Sequence, residues 1–161
     1  MKKKAVLTCV TLLVVIATSL LAFANLTQFC TPGFFKNHPQ FITGASCIKL
    51  DQNTLVGTYF HTVNSCIGNL TMLQALSVPT GQCGDASGLA GGEVILLRQV
   101  VSRVSNAANS DPPACNVIVP TINGVNSIVD QSIALNDRSL MISAAQKVAA
   151  QNNDSVCTIG Q

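Results

Sequence analysis

Six cysteines constrain this chain more than any other feature. Cys30, Cys47, Cys66, Cys83, Cys115 and Cys157 follow one another at intervals of 17, 19, 17, 32 and 42 residues. No two form a C-x-x-C pair and none adjoins a histidine, so the usual zinc spacings are missing. An even set at wide spacing reads as a framework of three disulfides, made in an oxidising compartment. Which cysteine pairs with which stays open, because spacing alone does not select a connectivity.

The seventh cysteine, Cys9, lies in a segment that explains how the others reach such a compartment. Lys2, Lys3 and Lys4 precede an apolar run over residues 5–24, which ends in Ala22-Phe23-Ala24 before Asn25. A basic start, an apolar stretch and an A-x-A step are the parts of a secretory signal peptide. The expectation is a signal peptide over 1–24 and a single secreted or periplasmic domain over 25–161. An uncleaved anchor is the competing reading, since the run is nearly long enough to span a bilayer.

Charge follows the same division. The chain carries 9 Lys+Arg against 7 Asp+Glu, but the three leader lysines supply the excess. Beyond residue 24 the cations are scattered, which argues against a nucleic-acid partner, because phosphate binding needs cations clustered on one face. With 161 residues, 48% of them hydrophobic, no Trp and one Tyr, the chain is sized for one domain with an aliphatic core.

Within that domain the pattern changes near residue 67. Residues 25–66 are rich in Thr, Asn, Gly, Pro and Phe without a sustained period, and predict turns with two short strands around 47–61. Thr31-Pro32-Gly33-Phe34 reads as a type II turn, and Pro39 suits the first position of a short helix. Residues 67–157 read as helical. Leu70, Leu73 and Leu76 mark a short helix capped by Asn69 and ended by Pro79. Leu96, Leu97, Val100, Val101, Val104 and Ala108 form one stripe of a helix over 89–108, with Arg98, Ser102, Ser105 and Asn109 on the face expected to meet water. A third helix is expected from near Pro120, carrying Ile122, Val125, Ile128, Val129 and Ile133 and weakened at Gly124. A fourth is expected over 137–151, capped by Asp137 and burying Leu140, Met141, Ala144, Ala145, Val148 and Ala149. The fold class is therefore mainly α: a small disulfide-stabilised domain of about four helices behind an irregular N-terminal part.

The most specific string is Cys30-Thr31-Pro32-Gly33-Phe34-Phe35-Lys36-Asn37-His38-Pro39. It resembles the C-T-x-G-[FY]-W-K-N-H-P opening of a family of secreted, mostly bacterial proteins, with Phe35 where that family usually has Trp. Leu96-Leu97-Arg98-Gln99-Val100-Val101 and Pro113-Ala114-Cys115 are similar to later segments of the same family. The resemblance implies an exported module and carries over no catalytic residue.

Phe34, Phe35, Lys36, Asn37 and His38 are the candidate binding residues, since they set a cation, an amide and an imidazole beside two aromatic rings. The plainer alternative is structural: Pro32 and Gly33 shape a turn, the rings pack the core, and Asn37 and His38 satisfy backbone groups at a helix start. His38 and His61 with Asp51 or Asp85 is the one metal set worth weighing, and no ligand motif supports it, so no metal and no cofactor are expected. Neither G-x-S-x-G nor a pair of carboxylates at workable spacing is present. The glycines of 81–92 match no phosphate-binding pattern and read as a flexible connector. Asn25, Asn69 and Asn153 open glycosylation sequons.

Two functional classes follow. The favoured one is an exported, non-enzymatic binding or structural module whose partner is a cell-surface protein, a glycan or another copy of itself. The alternative is a small exported hydrolase using Lys36, Asn37 and His38. The first is preferred because catalysis needs a nucleophile or base with a positioned partner, and none is visible in the sequence.

Overall fold

The computed structural model describes residues 29–153 and 157–159; the signal-peptide and anchor readings of 1–24, and the sequon at Asn25, lie outside the described residues. Six α-helices occur among them: α1 (Pro32–Asn37), α2 (Ser65–Gly68), α3 (Met72–Ala75), α4 (Leu89–Ala108), α5 (Cys115–Leu135) and α6 (Ser139–Asn152). The fold is mainly helical. The last three helices form a bundle, with α1 and α3 packed against it and α2 against the turn over 56–58.

The six spaced cysteines form three disulfides, Cys30–Cys157, Cys47–Cys115 and Cys66–Cys83. The first ties the start of the described chain to its end, and the second ties the irregular segment to the start of α5. The third closes a local loop around α2 and α3.

Helix α4 is the centre of the bundle, with α5 and α6 as its main neighbours and α1 and α3 also against it. Its apolar stripe is buried as expected: Leu96, Leu97, Val100, Val101 and Val104 are each at most 1% exposed. Full burial of such a side chain is worth about 1.5–3 kcal/mol. The face expected to meet water does not. Of that face Ser102 and Ser105 are fully buried and Arg98 and Asn109 half-buried; the neighbouring Asn106 and Arg103 are buried as well.

The reason is the irregular segment, which lies over that polar face. A chain without regular structure carries backbone N–H and C=O groups that need partners when buried. Ser102 donates to the carbonyl of Cys30 at 2.7 Å, Asn106 binds the same residue, and Asn109 donates to the carbonyl of Phe41 at 2.8 Å. Small polar side chains on a central helix thus serve as docking points for backbone. Burial also lowers the Arg103 guanidinium to about 10, since desolvation disfavours its charged form.

The segment itself departs from expectation in two ways. The Pro32–Gly33 turn is the first turn of α1: Thr31 is the N-cap, its Oγ1 accepts the Phe34 N–H, and Pro32 opens the helix, where its missing N–H costs nothing. The two strands around 47–61 do not form; among the described residues only isolated bridges occur, Thr43 with Asp51 and Leu55 with Thr71. Asp51 prevents a longer pairing, because its Oδ1 accepts the N–H groups of Asn53 and Thr54 and turns the chain. A 3-10 turn, Val56–Thr58, follows. The expected helix start at Pro39 is present as the 3-10 turn Pro39–Phe41.

Further along, the single helix expected from Asn69 is divided. Asn64 caps α2, Asn69 ends it, and Thr71 with Gln74 forms a capping box on α3, a reciprocal pair that satisfies two orphan donors. The Gly-rich connection is shorter than 81–92, because Gly91 and Gly92 already belong to α4. Both sites are tightly packed: a Cβ on Gly91 would lie 2.0 Å from the carbonyl oxygen of Ala86, and one on Gly92 would lie 2.8 Å from Cγ of Arg138.

Helix α5 begins at Cys115 rather than Pro120, so Pro120 lies inside it and leaves one i→i−4 bond unmade. Asn136, with φ of 49°, ends α5 in the left-handed conformation, a position asparagine tolerates. Asp137 accepts the Ser139 N–H at 2.8 Å at the start of α6. The Ser139 hydroxyl first, and this N–H bond second, hold its carboxyl below the usual range. Of the residues expected inside α6, Leu140 and Ala149 are only half-buried.

Since α5 returns between them, α6 runs in the same direction as α4. Gly92 meets Arg138 near their starts, and Asn152 donates to the Gln99 carbonyl at 3.0 Å near the end of α6. No helix among the described residues is long and apolar enough to cross a membrane.

Candidate functional site

The opening string divides into an inward and an outward half. Helix geometry turns consecutive residues about 100° apart, so Phe34 and Phe35 cannot share a direction. Phe35 is fully buried in the core and is out of reach of a ligand. Phe34 is half-buried, meets Phe35 edge-on at 5.3 Å and presents its face to His38. The Phe34 and His38 rings stack with centroids 4.6 Å apart and planes 30° apart.

Phe41 extends this row, with its ring 5.9 Å from Phe34 at 23°. Sequence reasoning missed it. The signal was Pro39, whose 3-10 turn folds the chain back and brings Phe41 beside the helix that precedes it. Lys36, Asn37 and His38 are exposed next to the row.

The backbone of α1 is closed by other groups than those expected. Thr31 supplies the side-chain cap, and the backbone N–H of His38, not its ring, donates to the Phe34 carbonyl at 2.9 Å. The Phe34 ring therefore rests on the buried Phe35, with the polar side chains facing water.

The second histidine lies elsewhere, against α5. Nδ1 of His61 is 3.0 Å from each carboxylate oxygen of Asp130. Asn126 clamps the same loop, accepting the His61 N–H at 2.9 Å and donating to the Tyr59 carbonyl at 3.1 Å. Both members of the pair are more than half exposed, a setting in which an ion pair contributes little. Of the other residues weighed with the histidines, Asp51 turns inward on Asn53 and Thr54, and Asp85 accepts from Ser87. Those bonds hold both carboxyls below the usual range. No group of three His, Cys, Asp or Glu side chains that could hold a metal occurs among the described residues.

Glu93, the one glutamate in the chain, is fully buried in α4. Its Oε2 accepts the Val63 N–H at 2.8 Å, while Oε1 has no hydrogen-bond partner. Burial pushes its carboxyl up to about 7, against the opposing pull of the Val63 N–H. Its observable role is to pin the loop that leads into α2, where Asn64 also donates to the Cys83 carbonyl at 2.9 Å.

Set beside known proteins, the chain matches no family model, no curated protein and no solved structure.

Proposed function

We propose that the protein is an exported, non-enzymatic binding module that acts at the cell surface or in the extracellular space, with the Phe34–His38–Phe41 row as its contact surface. The observation that supports this is the placement of the stacked rings: they lie on the surface beside exposed Lys36 and Asn37, with Phe34 resting on the buried Phe35. An apolar ring face bordered by an amide, an ammonium and an imidazole offers stacking and directed hydrogen bonds together, the mixture that ligand sites use. Three disulfides suit a protein that works outside the reducing cytoplasm. The partner class is a cell-surface glycan or protein.

A glycan array and a cell-surface pull-down with the oxidised protein test this reading. Lys36→Ala and His38→Ala are expected to leave the melting temperature unchanged and to abolish the captured signal. Capture that survives both substitutions overturns the site. Turnover in a hydrolase screen that His38→Ala removes would overturn the non-enzymatic reading.

A further inference from the structure

The parallel run of α4 and α6 leaves a groove of about 380 Å³. Ile95, Ile142, Ala145 and Ala149 give it an apolar floor, and Gln146 stands along it. Arg138 lines one end and is the only charged side chain of the lining among the described residues. The volume is within the range of small-molecule sites, which are mostly apolar with a few placed polar groups.

Arg138 is held in an unusual setting. Its alkyl stem lies on Gly92, so close that a Cβ there would come within 2.8 Å of Cγ. Its Nε is shielded from water and has no hydrogen-bond partner. A guanidinium N–H buried without an acceptor is costly, and the packing on Gly92 that shields it fixes the side chain at the end of the groove. The nearby acid is Asp85, which feels the guanidinium through space, but its oxygens already accept from the Ser87 N–H and hydroxyl.

We infer that this groove binds an amphipathic monoanion, a medium-chain acyl carboxylate, with the carboxylate on Arg138 and the chain along the apolar floor. A carboxylate matches the guanidinium fork with two parallel hydrogen bonds. A single cation with an aspartate close by suits one negative charge better than the two of a phosphate monoester. The floor runs along α6 from Arg138 to Ala149, about 16 Å at the helical rise per residue, enough for a chain of roughly ten carbons at about 1.3 Å per carbon, within the bond lengths of a saturated chain. The occupant differs in chemistry from the glycan or protein partner assigned to the aromatic row, and the two sites are independent.

Calorimetric titration of decanoate into the oxidised full chain tests the inference, with 1-decanol as the uncharged comparison. Saturable binding of decanoate at one site is expected, at least tenfold tighter than decanol. Arg138→Gln should weaken decanoate at least tenfold while leaving decanol unchanged. Ala149→Leu, which fills the floor and leaves the charge in place, should weaken both; it also serves if Arg138→Gln does not fold. The absence of saturable decanoate binding overturns the inference, as does equal affinity in wild type and Arg138→Gln. A short peptide with an apolar C-terminus that binds at Arg138 where decanoate does not would assign the groove to a protein terminus and overturn it too.

Discussion

Asn106 and Cys30 are joined by two hydrogen bonds that close a ring: the Asn106 Oδ1 accepts the Cys30 N–H at 2.7 Å, and its Nδ2 donates to the Cys30 carbonyl at 2.9 Å. The side-chain amide imitates a neighbouring strand for one residue of irregular chain, at a depth where neither group meets water. Replacing Asn106 by Leu leaves both backbone groups short of a partner, although Ser102 still reaches the carbonyl. A loss of about 2–4 kcal/mol is expected, since each buried unsatisfied group costs about 1–3 kcal/mol. Urea unfolding of the oxidised protein measures it; a change below about 1 kcal/mol would show that the clamp is dispensable.

The three bridges close loops of very different length, with sequence separations of 127, 68 and 17. Loop-closure entropy grows slowly with length, giving about 3 kcal/mol for the Cys66–Cys83 bridge and about 5 kcal/mol for Cys30–Cys157. Paired Cys→Ala variants should therefore lose stability in that order. Peptide mapping of the non-reduced protein should recover these three pairs, and thiol titration of the chain from Asn25 onward under denaturing conditions should find none free.

Glu93 makes stability depend on pH in the direction opposite to a salt-bridged acid. Its carboxyl titrates at about 7 in the folded protein against an ordinary value of 4.5, so the folded state holds the proton that the unfolded chain has released. Stability from this group is whole below about pH 4.5 and falls as pH rises to about 7, by up to about 3 kcal/mol. Glu93→Gln keeps an acceptor for the Val63 N–H and removes the titration. Its unfolding free energy should stay flat across that window where the wild type declines, as denaturant melts at several pH values would show.

Two glycines in long helices predict opposite outcomes for the same substitution. A Cβ on Gly124 meets nothing within 4 Å, so Gly124→Ala should raise stability by about 0.5–1 kcal/mol through helix propensity alone. At Gly91 the Cβ would lie 2.0 Å from the Ala86 carbonyl oxygen, and Gly91→Ala should lower the melting temperature by several degrees or abolish folding. Thermal unfolding of the two variants side by side checks both.

At the opening string, Thr31→Ala should cost about 0.5–2 kcal/mol, the usual range for a lost N-cap. Asn37→Ala should change stability by less than about 0.5 kcal/mol, as exposed positions do. Circular-dichroism melts distinguish the two; a large loss at Asn37 would restore it to a structural role.

The helical class, the three-disulfide framework and the buried stripe of α4 are legible along the chain, because each depends on local period or residue chemistry. Leu96, Leu97, Val100, Val101 and Val104 recur at helical spacing whatever surrounds them, and an even set of separated cysteines asks for bridges. The pairing of those cysteines and the burial of the second face of α4 come from packing between distant segments. Ser102 and Ser105, with Arg98 and Asn109, look like a solvent face in any periodicity count, since period reports polarity and not what covers it. Ser102, Asn109 and the neighbouring Asn106 are covered because an unpaired stretch of backbone, Cys30 above all, needs hydrogen-bonding partners inside the protein, and Ser105 is buried among them with its hydroxyl unpartnered. The same limit applies to the candidate sites: Phe41 joins Phe34 and His38 through a turn, Arg138 meets Gly92 through the packing of two helices, and neither proximity is written in spacing along the chain.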